Sequence, residues 1–359
     1  MTDELFFNAK PAFNVDGEDI NELIRDVLYL SVQEGLDGMK TLTARFTAIG
    51  PMQGQRTESL LYLDGRYLDF GKQVKVAIGA GARQRIIFDG YISALEIQFE
   101  EGQEPEFSFC AEDRLMDLRM IRRSKTYEDM SDQQIAEEIA NEHGLQSEVD
   151  ASGPTYNQIQ QCNMSDLAFL RERARLLQAE VWVENESLHY KTRDKRSGTS
   201  LTLIRGTDLM HVRVSADLAH QKTKVHVAGY DATQAQPIDE WADDAAITSE
   251  IAGGRSGVSI LQKAFGERIS KRVMEVPLEA EEAASWATAE MQRRARQFVT
   301  VNAISVGVPD LVVGSSVRLE QLGAPFSGDG YYVTKLEHLY TLADGHQTHF
   351  EAQRAFINE

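Results

Sequence analysis

Only two cysteines, Cys110 and Cys162, occur in 359 residues. They form no C-x-x-C pair and no zinc-type spacing, which excludes a disulfide framework and a structural zinc module. Their mixed, partly apolar neighbours fit a reduced, structural role. No apolar run approaches the roughly 18 residues of a membrane span. The opening "MTDELFFNAKPAF" has neither a basic start nor a long apolar stretch, so a secretory signal is not expected and folding in a reducing cytoplasm is. Basic residues are also scarce: 37 Lys and Arg face 56 Asp and Glu, for a net charge of -19. A general nucleic-acid binder needs a basic face to displace counterions, so that class is excluded. A solubilising surface, or a wall past which DNA slides without sticking, remains compatible.

The usual catalytic signatures are missing as well. "GAGARQ" (79–84) begins like a dinucleotide-binding loop but has Gln84 at the third glycine position. "GDGYYV" has Val333 there, and "GGRSGV" has Val258 where a nucleophile elbow needs glycine. There is no G-K-[ST] loop and no H-E-x-x-H. The acids are many but scattered, which favours solvated carboxylates over a catalytic pair. No catalytic, cofactor-binding or metal-ligating residue is assigned, and no cofactor is expected.

What is present is mostly strand pattern. Residues 1–112 read as β, with a hairpin turn at Asp16-Gly17 and short strands on through "INELIRDVLYLSVQE". Leu42, Ala44, Phe46 and Ala48 alternate on one face, as do Val74, Val76 and Ile78. Two further strands flank a turn at Gly102. Residues 113–196 read as a small α+β unit. Ser131 is a candidate N-cap with Gln134 completing a capping box; Ile135, Ala136, Ile139 and Ala140 form the apolar stripe, and Gly144 the stop. A second helix opens at Ser165, with Leu167, Leu170, Ala174 and Leu177 on one side, before a hairpin turning near Asn185. Its "RERAR" run, Arg171 to Arg175, suits a salt-bridged helix face better than an anion site.

After a linker at "TRDKRSGTS", residues 197–359 return to β pattern. Acidic, Gly-rich residues 231–258 read as a surface insertion. Residues 277–297 read as a helix with Pro277 at N1, acids at its start and Arg293, Arg294 and Arg296 at its end. Ala284, Ala287, Met291 and Ala295 make its small-residue stripe.

Two segments repeat the same order of features. A strand ends at Gly50 or Gly307. Gly71 precedes Val74 and Val76 as Gly314 precedes Val317 and Leu319. Phe88, Gly90 and Tyr91 correspond to Phe326, Gly330 and Tyr331, and a closing hairpin turns at Gly102 or Gly345. This reads as an internal duplication of a small barrel-type β domain, or as the recurrence of turn glycines in two unrelated β domains. Three histidines, His338, His346 and His349, crowd the second closing hairpin. The first copy has none, so the element does not need them. Spacing lets His338 face His349, at most a two-ligand cluster where zinc needs three or four.

"SDQQIAEEIANEHGL", "MSDLAFLRERARLLQAEVWVENESLHY" and "VGSSVRLEQLGAPFSGDGYYVTKLEHLY" together resemble the late control protein D family, the baseplate hub proteins of contractile phage tails. The pattern is also similar to the N-terminal hub region of type VI secretion VgrG spike proteins. The resemblance implies a mainly β fold with α+β, in which two similar small β-barrel domains (1–112 and 197–359) flank a smaller α+β domain (113–196). It implies a homotrimeric ring that joins a sixfold tail tube to a threefold spike and lines the channel. The implied partners are a separate spike protein, the tail tube protein and other baseplate proteins. DNA or cargo would pass through the lumen without specific binding, and no membrane insertion is implied. The location implied is a virion tail baseplate or injection particle assembled in the bacterial cytoplasm. No needle repeat or lysozyme-like domain appears in these residues, so the spike and any hydrolysis are expected in other proteins. A tail-tip cell-wall hydrolase and a carbohydrate-binding β-barrel protein are the rival readings.

Overall fold

The computed structural model describes residues 10–51, 58–79, 84–272 and 277–359. Residues 80–83 of the "GAGARQ" stretch and the first nine residues of the chain lie outside the described residues.

The first region opens with β1 (Ala12–Val15) and β2 (Glu18–Asp19), joined by Asp16 and Gly17, both at positive φ as a tight hairpin turn requires. A short helix, α1 (Asn21–Asp26), follows where strand was expected. Six residues are too few for helical periodicity to stand out, and Leu23 is its one buried side chain. Then come β3 (Val27–Gly35), β4 (Thr41–Thr47), β5 (Ile49–Pro51), β6 (Glu58–Leu60), β7 (Gln73–Ile78), β8 (Arg85–Gln98) and β9 (Glu106–Glu112). Leu42, Ala44, Phe46 and Ala48 are fully buried, as are Val74, Val76 and Ile78. Phe13, Phe46, Phe107 and Phe109 dominate this core, with Phe46 and Phe109 stacked at 5.9 Å.

The middle region holds α2 (Leu115–Met120), β10 (Arg122–Ser131), α3 (Asp132–Glu142), β11 (Gln146–Asp150), β12 (Thr155–Ser165), α4 (Asp166–Leu177), β13 (Ala179–Glu184) and β14 (Ser187–Thr192). Ser131 and Gln134 make the expected reciprocal capping box, and Gly144 takes φ +65° just past the helix. Ser165 caps α4, accepting from the Ala168 N–H. Every residue of both expected stripes is buried.

The last region begins with a single 3-10 turn at Arg193–Lys195. It continues through β15 (Ser200–Ile204), β16 (Leu209–Ala216), β17 (Lys224–Asp231), β18 (Gln236–Ala242), a 3-10 segment at Asp244–Glu250, β19 (Arg255–Ser256), α5 (Gly257–Phe265) and β20 (Ile269–Arg272). It ends with α6 (Ala280–Arg296), β21 (Val299–Val306), β22 (Ser316–Glu320), β23 (Gly328–Thr341), β24 (Gly345–Arg354) and β25 (Phe356–Ile357).

Two expectations change here. Residues 231–258 are more than a surface loop: β18 pairs antiparallel with β17, and Ile238, Ala242 and Ile247 are buried against α6. Pro237 lies on that strand, tolerated because β18 is at the sheet edge. Pro277 is not N1; it stands two residues ahead of the Glu279 cap. The buried stripe runs through Ala283, Ala287 and Met291 with Trp286 beside it, while Ala284 is only partly buried. Glu281 and Glu282 at the start and the three arginines at the end fall as expected.

The expected pair of barrels takes another form. Among the described residues the strand pairing closes no barrel. Instead, one thirteen-stranded sheet runs in the order β16-β21-β24-β23-β3-β4-β9-β8-β7-β1-β2, with β22 and β15 attached at β23. The two ends of the chain meet inside it, because β3 pairs antiparallel with β23 from Tyr29 opposite Thr341 to Gly35 opposite Lys335.

Candidate functional site

The sheet is built from one five-strand unit used twice. In the first, β3 pairs β4, β4 pairs β9, β9 pairs β8 and β8 pairs β7. In the second, β16 pairs β21, β21 pairs β24, β24 pairs β23 and β23 pairs β22. The likeness extends to single bonds. Gly71 N–H donates to Ile92 O and Gly314 N–H to Val333 O, each at 2.9 Å, and both glycines have positive φ. A bulge follows in each long strand, and its hydroxyl bonds the same way: Ser93 Oγ to Cys110 O at 3.4 Å, Thr334 Oγ1 to Glu351 O at 3.3 Å. The first strands bulge too, before Tyr29 and before His211.

These bonds set the correspondence. Val74 matches Val317 as the sequence suggested, but Ala48 rather than Gly50 matches Gly307, and Tyr91 matches Tyr332 rather than Tyr331. Gly307 has its own reason: a Cβ there would lie 2.2 Å from His346 Nδ1.

The units differ at their edges. In the second, the outer half of β23, Lys335–Thr341, is covered by β3. In the first, the matching half of β8, residues 94–98, pairs only with β9 among the described residues. At one end of the sheet, β16 pairs only with β21 over residues 211–216 among the described residues. Leu95 and Ile97 are partly buried, and Phe99 just beyond them is 63% exposed. On β16, Val212 and Val214 are partly buried while His211 and Arg213 are exposed. Glu96 stands on the β8 edge and Glu100 two residues past its end, so the acidic side at β8 contrasts with Arg213 and His211 on β16.

A buried ion network pins the regions at the covered seam. Arg196 Nη2 donates to Glu34 Oε1 at 2.7 Å and Nη1 to Glu180 Oε2 at 2.9 Å. Tyr332 Oη donates to Glu180 Oε2 at 2.8 Å, and the guanidinium lies 4.1 Å over the Trp182 ring. Gly314 makes room, since a Cβ there would come within 2.7 Å of Arg196 Nε. Glu34 belongs to β3, Glu180 to β13 and Tyr332 to β23, so one cation ties three regions.

The histidines are placed differently from expectation. His338 contacts His346, with Nδ1 and Nε2 3.2 Å apart, and lies opposite Thr348. His349 instead faces Glu337 across the strands, at 3.8 Å. Burial, and then the neighbouring His346, pushes His338 down to about 3; burial pushes His346 down to about 4. No group of three or more metal-type side chains occurs among the described residues. Cys110 and Cys162 are free, and both are exposed rather than packed into a core. No helix among the described residues is long and apolar enough to cross a membrane. In "RERAR", Arg173 is ion-paired to Asp132 at 2.5 Å, as a salt-bridged face requires.

A family model described as the Alg8 N-terminal domain matches residues 13–341. No curated protein sequence matches the chain. Among solved structures, the chain is similar to the 43 kDa tail protein of prophage MuSo2 from Shewanella oneidensis, at 13% identity and a TM-score of 0.69 over 97% of this chain and 98% of that one. It is similar to a tail protein from Neisseria meningitidis MC58, at 13% identity and a TM-score of 0.66 over 97% of each chain. It is also similar to an Escherichia coli component of the type VI secretion system that itself resembles bacteriophage T4 tail proteins. That match has 13% identity and a TM-score of 0.57 over 92% of this chain and 73% of that one. At such identities the likeness is one of fold.

Proposed function

The chain belongs to the Alg8 N-terminal domain family, and from its likeness in fold to tail proteins we propose that it is a structural hub of a contractile tail or injection particle. In this reading it is a late control protein D-like adapter without catalytic activity. Its units are 1–112, 113–196 and 197–359. Three copies form a ring that seats the sixfold tube on one side and a separate threefold spike on the other. Other baseplate proteins surround it, in a particle assembled in the bacterial cytoplasm.

The observation that carries the reading is the pair of unfilled edges. Within one chain, a first strand of one unit (β3) covers the outer half of the long strand of the other (β23). The first strand β16, at one end of the sheet, and the outer half of β8, which β7 leaves uncovered toward the other end, are the same two parts among the described residues. Joined between protomers they make a head-to-tail contact, and three such contacts alternate six units around an axis. Transferring the register of the internal seam puts Leu95 beside Ala216, Ile97 beside Val214 and Phe99 beside Val212 on the core side. Gln98 then meets Arg213 and Glu100 meets His211 on the other. Apolar faces apolar, an amide faces Arg213 and an acid faces His211.

The sheet face turned away from the core carries Gln33, Thr43, Ser108, Thr300 and Asn302. The same face also carries Arg45, Glu106, Glu337 and Glu351, and a lumen lined by polar side chains of mixed charge gives DNA or cargo no continuous basic surface to bind.

The test uses Gln98→Cys with Arg213→Cys in a Cys110→Ser, Cys162→Ser background, alone and mixed with the neighbouring spike and tube proteins. Light scattering near three times 40.2 kDa, with oxidation giving a ladder that ends at trimer, supports the ring and its register. A monomer in every mixture, or a trimer without that cross-link, rejects the edge-to-edge contact.

A further inference from the structure

A cleft of about 330 Å³ lies where α4, β13, the Arg193–Lys195 turn and the end of α6 meet. In a chain of net charge -19, five arginines line it: Arg171, Arg175, Arg193, Arg293 and Arg296. The carboxylates around them are largely committed. Glu250 takes Arg296 at 2.6 Å, and Glu290 is shared by Arg272, Arg293 and Arg294. Glu180 lines the cleft, but its Oε2 is taken by Arg196 and Tyr332. Asp37 makes a loose ion pair with Arg171, 3.6 Å from Nη2 and too long for a hydrogen bond, and its carbonyl accepts from Arg171 Nε at 2.8 Å.

Arg193 is the least satisfied of the five. Its guanidinium lies flat over Tyr332, 3.9 Å from the ring centroid. Its one hydrogen bond among the described residues is a long 3.4 Å contact from Nη2 to Gln353 Oε1. Its Nε is buried without a hydrogen-bond partner, and so is Arg171 Nη2. Burial, and then the charge of Arg296, pushes Arg193 down to about 10. A partly buried guanidinium with unspent donors, set against a like charge, is destabilised until an anion joins it.

We propose that this cleft binds a small oxyanion of the phosphate or carboxylate class, with Arg193 and Arg171 supplying the free donors and Arg175, Arg293 and Arg296 the surrounding positive field. The fork of an arginine matches two oxygens of either group. The site is independent of the edge-to-edge contact, since none of these residues lies on β8 or β16.

The experiment is calorimetric titration and thermal unfolding of the full chain with inorganic phosphate, and separately with citrate, at constant ionic strength in chloride. The expected result is saturable binding in the wild type, with a matching rise in Tm. Arg193→Met is expected to be as stable as the wild type or more so in chloride, because it removes an unpaired buried charge. It is also expected to bind phosphate and citrate at least tenfold more weakly. Arg171→Gln is the second variant, expected to weaken binding in the same direction, and the exposed Arg66→Met is expected to leave it unchanged. Saturation by one anion alone assigns the class. A wild type that responds to neither, or variants that all respond equally as a general salt effect predicts, overturns the site.

Discussion

The two five-strand units share a hydrogen-bond plan but differ in what fills it. At matched positions the first has Phe46 where the second has Ser305, Ile97 where the second has His338, and Gly90 where the second has Tyr331. The first packs five phenylalanines into its core. The second uses smaller aliphatic side chains and a buried polar pair, and it has gained a neighbour: the β17-β18-β20 sheet with α6 laid across it. Backbone pattern is therefore the retained part, and core chemistry is free to change as long as volume is filled somewhere nearby.

The largest test of this contrast is a pair of substitutions at one matched place. Phe46→Ala removes a fully buried ring and is expected to cost about 3–5 kcal/mol in urea unfolding. Ser305→Ala removes a buried hydroxyl that donates to Thr348 O at 3.2 Å and is expected to cost about 1 kcal/mol. Equal costs at the two sites would mean that the units do not fill their cores differently.

A pH difference should separate the units next. His338 and His346 are held well below the usual histidine range in the fold, so below about pH 6.5 the unfolded chain binds protons that the native chain does not. Their neutral state is fully compatible with the fold above that pH. Stability then falls as pH drops toward 4, by at most about 1.4 kcal/mol per pH unit per histidine. Asp113 acts in the opposite direction, since burial pushes its carboxyl up to about 7. The readable quantity is thus the difference between wild type and His338→Gln/His346→Gln. That difference should open between pH 6.5 and 4, and parallel curves would remove the histidines as its cause.

The smallest effect should be the most symmetric. Ser93→Ala and Thr334→Ala each delete one bulge hydroxyl bond and should cost about 0.5–1 kcal/mol, with the buried Thr334 at the upper end. A cost at only one of them would mean the two bulges are not equivalent.

Local signals were legible in the sequence. The capping box at Ser131 and Gln134, and the matched Gly71 and Gly314, each rest on chemistry within a few residues. The Gly50 with Gly307 match slipped by two because a strand repeats every two residues, so that slip leaves every side chain on its proper face. Strand β18 was hidden by Pro237 and by acids on its exposed side. The His338 and His346 contact depended on the length of the turn between β23 and β24. The open edges were out of reach, because the partner of β3 lies some three hundred residues away.

That separation bears on synthesis. Strand β3 leaves the ribosome early, and its covering strand β23 is among the last segments made. At roughly 5–20 residues per second, about 300 residues of translation keep β3 waiting for some 15–60 s. During that interval a nascent chain shows the same bare strand that the finished one keeps at β16. Neighbouring nascent chains on one message are then the nearest supply of wrong partners, and the step that ends this exposure is the emergence of the final hairpin.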